Sequence, residues 1–451
     1  MSVLPPGWVW TDTASVAEVQ GGIQKQPKRA PRSNRYPFLR VANVLRGRLD
    51  LQQIHEVELF GGELDKFRLH HGDLLVVEGN GSPNQIGRAA LWRGEIENCV
   101  HQNHLIRVRP TIAIDPNYLT YYWNASRTTE YLRSVASSTS GLYVLTAAKV
   151  RGVRLPLPPL KEQGRIVAAI EEQFSRVDAG AAAVDAAQWN LGRLRSSVLA
   201  SILFDPSGAD WATVELGEVL VGGRYGTSTK CSYDAPGLPV LRIPNIQSRT
   251  ISLRDLKRAV DPAVDLTRAL TAPGDVLMIR TNGSRSLIGR AAVVPALPHP
   301  TAFASYLIQL RVDSDTLNPA YLVAALSSPR LRAAIERVAA TTAGQYNINL
   351  EKLRSIRIPL PPLAEQAGLM AETERWLSTI HAMDSELMRV STMAVRLRSS
   401  ILAAAFAGEL VAQDHGDEPA SVLLERIGRE RSGSNDHGRK DDATHRKKAT
   451  T

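Results

Sequence analysis

Arginine, lysine, asparagine, glutamine and serine gather in four short stretches of this chain, and these are the side chains that hold phosphates and read base edges. Lys25, Lys28, Arg29, Arg32 and Arg35 form the first, and Asn80, Ser82, Asn84, Gln85 and Arg88 the second. Arg224, Thr227, Ser228 and Lys230 form the third, and Arg280, Asn282, Ser284, Arg285 and Arg290 the fourth. As groups they point to DNA contact; for any one residue, a solvated loop is the alternative.

Signatures for making or breaking bonds are incomplete. Asp115-Pro116-Asn117-Tyr118 resembles the motif of amino-methyltransferases but lacks its second proline, and a second copy reads Asn318-Pro319-Ala320-Tyr321. A proline-containing helix entry accounts for both. Gly79-Asn80-Gly81 lacks the third glycine of a dinucleotide loop, and Gly222 to Lys230 lacks the Gly-Lys-Ser/Thr order of a phosphate loop. His70-His71 and His101-x-x-His104 have no acidic or cysteine partner placed to complete a metal site. No catalytic residue, metal site or cofactor of the chain's own is expected.

The charge balance agrees with an acidic partner. Among 451 residues, 54 Lys and Arg stand against 45 Asp and Glu, a formal charge of +9, which favours a polyanion. Only Cys99 and Cys231 are present, too few for a disulfide framework or a cysteine-rich zinc site. Neither a signal-peptide pattern at the N-terminus nor an uninterrupted apolar run of membrane length is evident, so a cytoplasmic protein with no membrane partner is expected.

The elements that must position the four stretches come in two copies. Phe38 to Val44 answers Val240 to Ile246 at an offset of 202 (242 minus 40), and Gly72-Asp73-Leu74-Leu75, Asn80-Gly81-Ser82 and Ile86 to Ala90 recur at the same offset. Farther on the offset slips to 203: Pro116, Tyr118 and Leu119 match Pro319, Tyr321 and Leu322. The chain is a tandem duplication. Each copy reads as short strands such as Phe38 to Val44 and Asp73 to Val77, then helix near Tyr118 to Val135 and Tyr321 to Val338.

Each copy ends in the same phrase, Leu155 to Gln163 (LPLPPLKEQ) and Ile358 to Gln366 (IPLPPLAEQ), whose prolines force an extended lead-in to a long helix. In the second helix Leu369, Thr373, Trp376, Ile380, Met383, Leu387, Val390, Ala394, Leu397, Ile401 and Ala404 alternate in steps of four and three. In the first, the series is Ile166, Ile170, Gln173, Val177, Gly180, Val184, Ala187, Leu191, Leu194, Val198 and Ser201. A period of 3.5 predicts that the helices pair as a coiled coil. Asp417 to Arg431 predicts a short amphipathic helix using Val422, Leu423, Leu424 and Ile427, and Ser432 to Thr451 a disordered charged tail.

With the duplication, the phrase Gly344-Gln345-Tyr346-Asn347-Ile348-Asn349, the PLPPL lead-ins, the paired helices and the EPASVLLERI segment, the sequence resembles the specificity subunit of type I restriction-modification systems over nearly its whole length. The resemblance implies an α+β fold: a tandem repeat of two mixed α/β target recognition domains, joined by two long antiparallel coiled-coil helices with pseudo-two-fold symmetry. The corresponding divisions are residues 1–155 and 206–358 for recognition, 156–205 and 359–411 for the spacer helices, and 412–451 for the tail. It also implies a non-catalytic DNA-binding subunit that reads an asymmetric bipartite site in double-stranded DNA. Its expected partners are two methylation subunits, and restriction subunits, two in number, where a nuclease is present. S-adenosylmethionine, Mg and ATP belong to those partners; the lead-ins, the helices and Val422 to Ile427 are the implied docking surface. A solitary or fused DNA methyltransferase and a degenerate, non-binding scaffold are the alternatives.

Overall fold

The computed structural model describes residues 3–139, 141–204, 210–247, 249–342 and 344–429; the expected tail, Ser432 to Thr451, lies outside them. By compactness the chain divides into one unit of Met1–Ala182 with Ser391–Thr451, and a second of Ala183–Val390. Each holds one copy of the repeat and a segment of both long helices.

In the first unit a fully antiparallel sheet runs in the order Ala17–Gly21, Leu105–Pro110, Leu74–Val77, Ala89–Leu91. Beside it in sequence, Arg35–Leu39 pairs antiparallel with His55–Glu58 and parallel with Val100–His101. A small sheet joins Ser137–Thr139, Leu142–Val144 and Gly79–Asn80, and Val9–Asp12 pairs with the lead-in Arg154–Leu157. The second unit repeats the plan with Leu220–Tyr225, Leu307–Val312, Val276–Ile279 and Ala291–Val293, and with Pro239–Leu241 parallel to Ala302–Phe303. Gly22 and Gly226 abut the carbonyl oxygens of His101 and Phe303 so closely that neither position has space for a Cβ.

Two elements are shorter than the sequence suggests. The strand expected over Phe38 to Val44 stops at Leu39, because Asn43 takes the N–H of Arg40 and turns Val41–Asn43 into a 3-10 helix. The helix expected over Tyr118 to Val135 is two, Pro116–Asn124 and Ser126–Val135, broken at extended Ala125. Its counterpart breaks at Ser328, whose hydroxyl caps Leu331 ahead of Pro329.

The long helices span Leu160–Phe204 and Leu363–Ala407. Half of the expected seam is in place: Ile170, Val177, Val184, Leu191 and Val198, and Thr373, Ile380, Leu387, Ala394 and Ile401, are buried or half-buried. Of the alternate positions, Ile166, Gln173, Ala187, Leu369 and Ala404 are also buried or half-buried as the sequence suggests, and the others lie outside. Trp376, Met383, Val390 and Leu397 are exposed, and Met370, Leu377, Arg398 and Ala405 turn inward. In the first helix Gly180, Leu194 and Ser201 are likewise outside, with Phe174, Ala181, Gln188, Arg195 and Ile202 half-buried. The inner set includes polar residues: Arg398 pairs with Asp178 and lies 4.8 Å from the Phe174 ring in the first unit, and Gln188 donates to Met388 Sδ at 3.2 Å in the second. Counting apolar residues therefore favoured the wrong neighbour. Within the second unit Gln188 meets Met388 while Leu199 and Leu203 share a core with Met370, so the segments run antiparallel.

By length and composition Leu363–Ala407 is apolar enough to cross a membrane, although charged residues such as Arg389, Arg396 and Arg398 interrupt its apolar run. Here its inner face is engaged: Phe406 packs edge-on against Tyr118 and Tyr122 at 5.5 and 5.0 Å, and Ile401 and Ala405 belong to the first unit's core. Residues 420–429 are helical as expected, with Ala420, Leu423 and Ile427 in the same core. Val422 faces outward instead. Ala420, Leu423 and Ile427 of this segment and the lead-in leucines, Leu155 and Leu157, thus pack within the chain.

Candidate nucleic-acid interface

Three buried polar clusters hold the recognition loops, and all three recur in both units. At the foot of the first long helix Gln163 accepts from Asp115 N at 2.7 Å and donates to Ala113 O and Pro158 O at 3.0 Å. Gln366 does the same with Asn318 N, Thr316 O and Pro361 O. Tyr118 and Tyr321 donate to Pro156 O and Pro359 O, so the Asp/Asn-Pro-x-Tyr motif is the other half of this clamp.

Second, Asp73 receives Arg109 through two bonds of 2.7 Å and the His70 N–H, also at 2.7 Å, and Asp275 receives Arg311, Gln309 and the Ala272 N–H. Third, Asn43 accepts from Arg40 N and donates to Asp50 O and Gln53 O, as Asn245 does with Arg242 N, Ser252 O and Arg254 O. Each is buried, so every bond replaces water that cannot reach it.

On this frame the four clusters separate into inward and outward residues. Arg29 is taken up internally: two bonds of 2.7 Å tie it to Glu63, whose carboxyl this guanidinium holds down at about 2. Arg88 is buried, donating to Val44 O, Val41 O and Gln85 Oε1. Arg224 donates to Gln309 and Leu270 O. Asn80 and Asn282 shape turns, accepting from Ser82 N and Ser284 N, and Thr227 accepts from Thr229 N. Arg280 stacks 4.4 Å from the Tyr225 ring and donates to Asn347. Arg285 pairs with Glu336 and remains exposed.

The outward set is Lys25, Lys28, Arg32, Arg35, Ser82, Asn84, Ser228, Lys230, Ser284, Arg285 and Arg290, all exposed or half-exposed. Lys25 and Arg29 line an open cavity of about 860 Å3 with Pro37, Arg40, His55 and Glu56. The Arg290 side chain, unlike that of its counterpart Arg88, makes no hydrogen bond to a described residue, and it lines a groove with Ile243, Ile246, Gln247 and Leu287. Two arginines near these loops went unnoticed in the sequence, Arg40 and Arg46. Arg46 donates to Asn84 O at 3.3 Å, and burial, then Arg88 and Arg133, weakens its hold on its proton. The duplication offered one clue, since Arg40 recurs as Arg242.

The sequence pattern of the type I restriction modification DNA specificity domain matches twice, over residues 7–178 and 208–371. The EcoKI specificity subunit of Escherichia coli K12 is 25% identical over 96% of this chain and 97% of its own. The StySPI specificity subunit of Salmonella potsdam is 25% identical over 99% of both. In fold, the HsdS subunit from Thermoanaerobacter tengcongensis aligns with a TM-score of 0.51 at 22% identity over 90% of this chain and 98% of that one. A chain from a structure of the assembly and conformational transition of the type I R-M system aligns at 0.69 with 23% identity, over 91% of this chain and all of that one. With both copies of the repeat matched across most of their length, the chain belongs to the type I restriction-modification DNA specificity family, as a specificity subunit with two target recognition domains.

Proposed function

We propose that this subunit reads an asymmetric, bipartite site in double-stranded DNA, one half per recognition domain, and directs the other subunits to it without catalysing a reaction itself. One observation carries the reading: the buried clamps around Gln163/Gln366, Asp73/Asp275 and Asn43/Asn245 are the same in both units, whereas the exposed loops Lys25 to Arg35 and Thr227 to Asp234 differ. A common frame carrying different outward side chains is what two unlike half-sites require. Lys25, Lys28, Arg32, Arg35, Ser82 and Asn84 are the contacts assigned to one half-site, and Ser228, Lys230, Ser284, Arg285 and Arg290 to the other. Arg29, Arg88, Arg224 and Arg280 support those loops.

Two methylation subunits are the assigned partners, and restriction subunits where present; S-adenosylmethionine, Mg and ATP are bound by them. Docking falls to the long helices, where Trp376 and Met383 are exposed in the second unit and Leu397 in the first. The assembly works in the cytoplasm, where the DNA is.

Exchanging residues 6–154 for the first recognition domain of another family member tests this directly. Mapping methylated adenines in host DNA should show one half-site changed and the other intact; change in both would overturn the reading. Methylation by the purified chain alone, supplied with S-adenosylmethionine, would overturn its non-catalytic part.

A further inference from the structure

Arg40 and Arg242 stand on one frame in two different electrostatic states. Asn43 fixes the backbone N–H of Arg40 at 2.9 Å, and Asn245 fixes that of Arg242 at 2.8 Å. In the second unit the guanidinium is then neutralised within the domain. Arg242 donates to Asp255 O at 2.9 Å and lies 3.6 Å from the Asp255 carboxylate, which Tyr233 OH also holds.

Among the described residues of the first unit nothing equivalent is present. Strand register places Gln53 at the position of Asp255, since His55 pairs with Phe38 as Lys257 pairs with Val240. Residues 51–54 read Leu-Gln-Gln-Ile, without a carboxylate, and Tyr233 is answered by Pro31. The one carboxylate lining the cavity, Glu56, is already 3.6 Å from Arg35. Arg40 has no salt bridge with a described residue, and its Nε is buried without a hydrogen-bond partner in the described structure. Its guanidinium lines the 860 Å3 cavity beside Lys25, with Pro37, Ile54 and Ile96 as apolar walls.

We propose that Arg40 is a specificity-determining residue of the first recognition domain, donating its guanidinium fork to the acceptor edge of a guanine, and that Arg242 makes no such contact. The proposal rests on the DNA-reading function given above. A base rather than a phosphate is the partner because this arginine is fixed at its backbone by Asn43 and its Nε is buried in the cavity wall, which limits the positions its fork can take. A pre-set planar fork suits two acceptors on one base edge, whereas a phosphate needs only a point charge. An arginine left unpaired in a concave surface keeps both Nη donors for an incoming acceptor.

The test uses the full chain assembled with its methylation subunits, with Arg40→Ala, Arg40→Lys, Gln53→Asp and Arg242→Ala compared with the parent by methylation mapping. Binding to duplexes carrying each single-base change in the mapped site is then measured at several salt concentrations. Arg40→Ala should relax one guanine-containing position of one half-site, reducing discrimination there about tenfold or more, the size of a bidentate arginine contact. Arg40→Lys should keep the salt slope and lose the same discrimination. Gln53→Asp should supply the missing carboxylate and reproduce the loss with the arginine still in place, which guards against a folding defect in Arg40→Ala. Arg242→Ala should leave base preference unchanged. Uniform weakening across all sequences would mean a phosphate contact and overturn the proposal, as would an unchanged motif in both Arg40→Ala and Gln53→Asp. A parent assembly that recognised no site would defeat the DNA-reading function itself, a separate outcome.

Discussion

In the first unit a buried glutamine, Gln163, joins three backbone groups at the base of a long helix; in the second, Gln366 joins the matching three at matching distances. A short way off, the same two domains diverge. The cation-rich loop Lys25 to Arg35 is answered by Thr227 to Asp234. What separates the two kinds of position is access to water. A buried donor or acceptor that loses its partner costs about 1–3 kcal/mol, so duplicated copies hold such sets fixed. An exposed side chain carries no such penalty and is free to diverge toward a different half-site.

The clamp gives the sharpest way to break this comparison. Gln163→Leu leaves the Asp115 N–H and two carbonyls without partners at a residue with no solvent exposure, so the first unit should lose about 4 kcal/mol. Gln366→Leu should cost the second unit about the same, read by denaturant unfolding of each variant. A loss under about 1 kcal/mol in either would show that the shared residue is not a shared necessity.

Asp73 and Asp275 make a graded test. Both carboxylates are buried, but the Arg109 side chain is 25% exposed and that of Arg311 is 49% exposed. Removing the carboxylate strands the first arginine more deeply. Asp73→Asn should therefore destabilise by about 3 kcal/mol and Asp275→Asn by about 2, smaller because water reaches Arg311. Equal losses, measured side by side in urea, would remove solvent access as the explanation.

Much of this architecture was legible in the residues. The duplication, the proline lead-ins and the helix pairing follow from spacing alone, and so does one half of each seam, Ile170 to Val198 and Thr373 to Ile401. Part of the other half was not, because Arg398 and Gln188 sit inside through contacts with Phe174, Asp178 and Met388 that no heptad count contains. The candidate interface was half legible for a related reason. Composition places arginines in the loops, but whether one faces outward depends on a partner distant in sequence, Glu63 for Arg29 or Val41 and Val44 for Arg88. Gln163 looked like an ordinary first-turn residue, since its partners Ala113 and Asp115 lie about fifty positions earlier.

The smallest expected effect concerns a core position where the units differ in chemistry. His101 is fully buried, and burial, reinforced by the Arg107 guanidinium and only partly opposed by the Phe67 and Gln20 backbones, pushes its pKa down to about 3. An unfolded histidine titrates near 6.5, so between those values the unfolded chain binds a proton that the folded chain refuses. Stability of the first unit therefore falls as pH drops from about 6.5 toward 3, by about 2 kcal/mol at pH 5. His101→Phe, the residue the second unit already carries as Phe303, should remove that share of the slope. Burial also lowers His70, which keeps its own contribution in both proteins, so the comparison is the variant against the parent. Glu63, held at about 2, titrates below this window, and burial raises Glu78 and Glu162 alike in parent and variant. Denaturant unfolding at pH 7.5 and pH 5 decides the matter: a parent losing about 2 kcal/mol more than the variant fits a neutral buried imidazole. Equal losses would mean that His101 is protonated in the folded core, contrary to its burial.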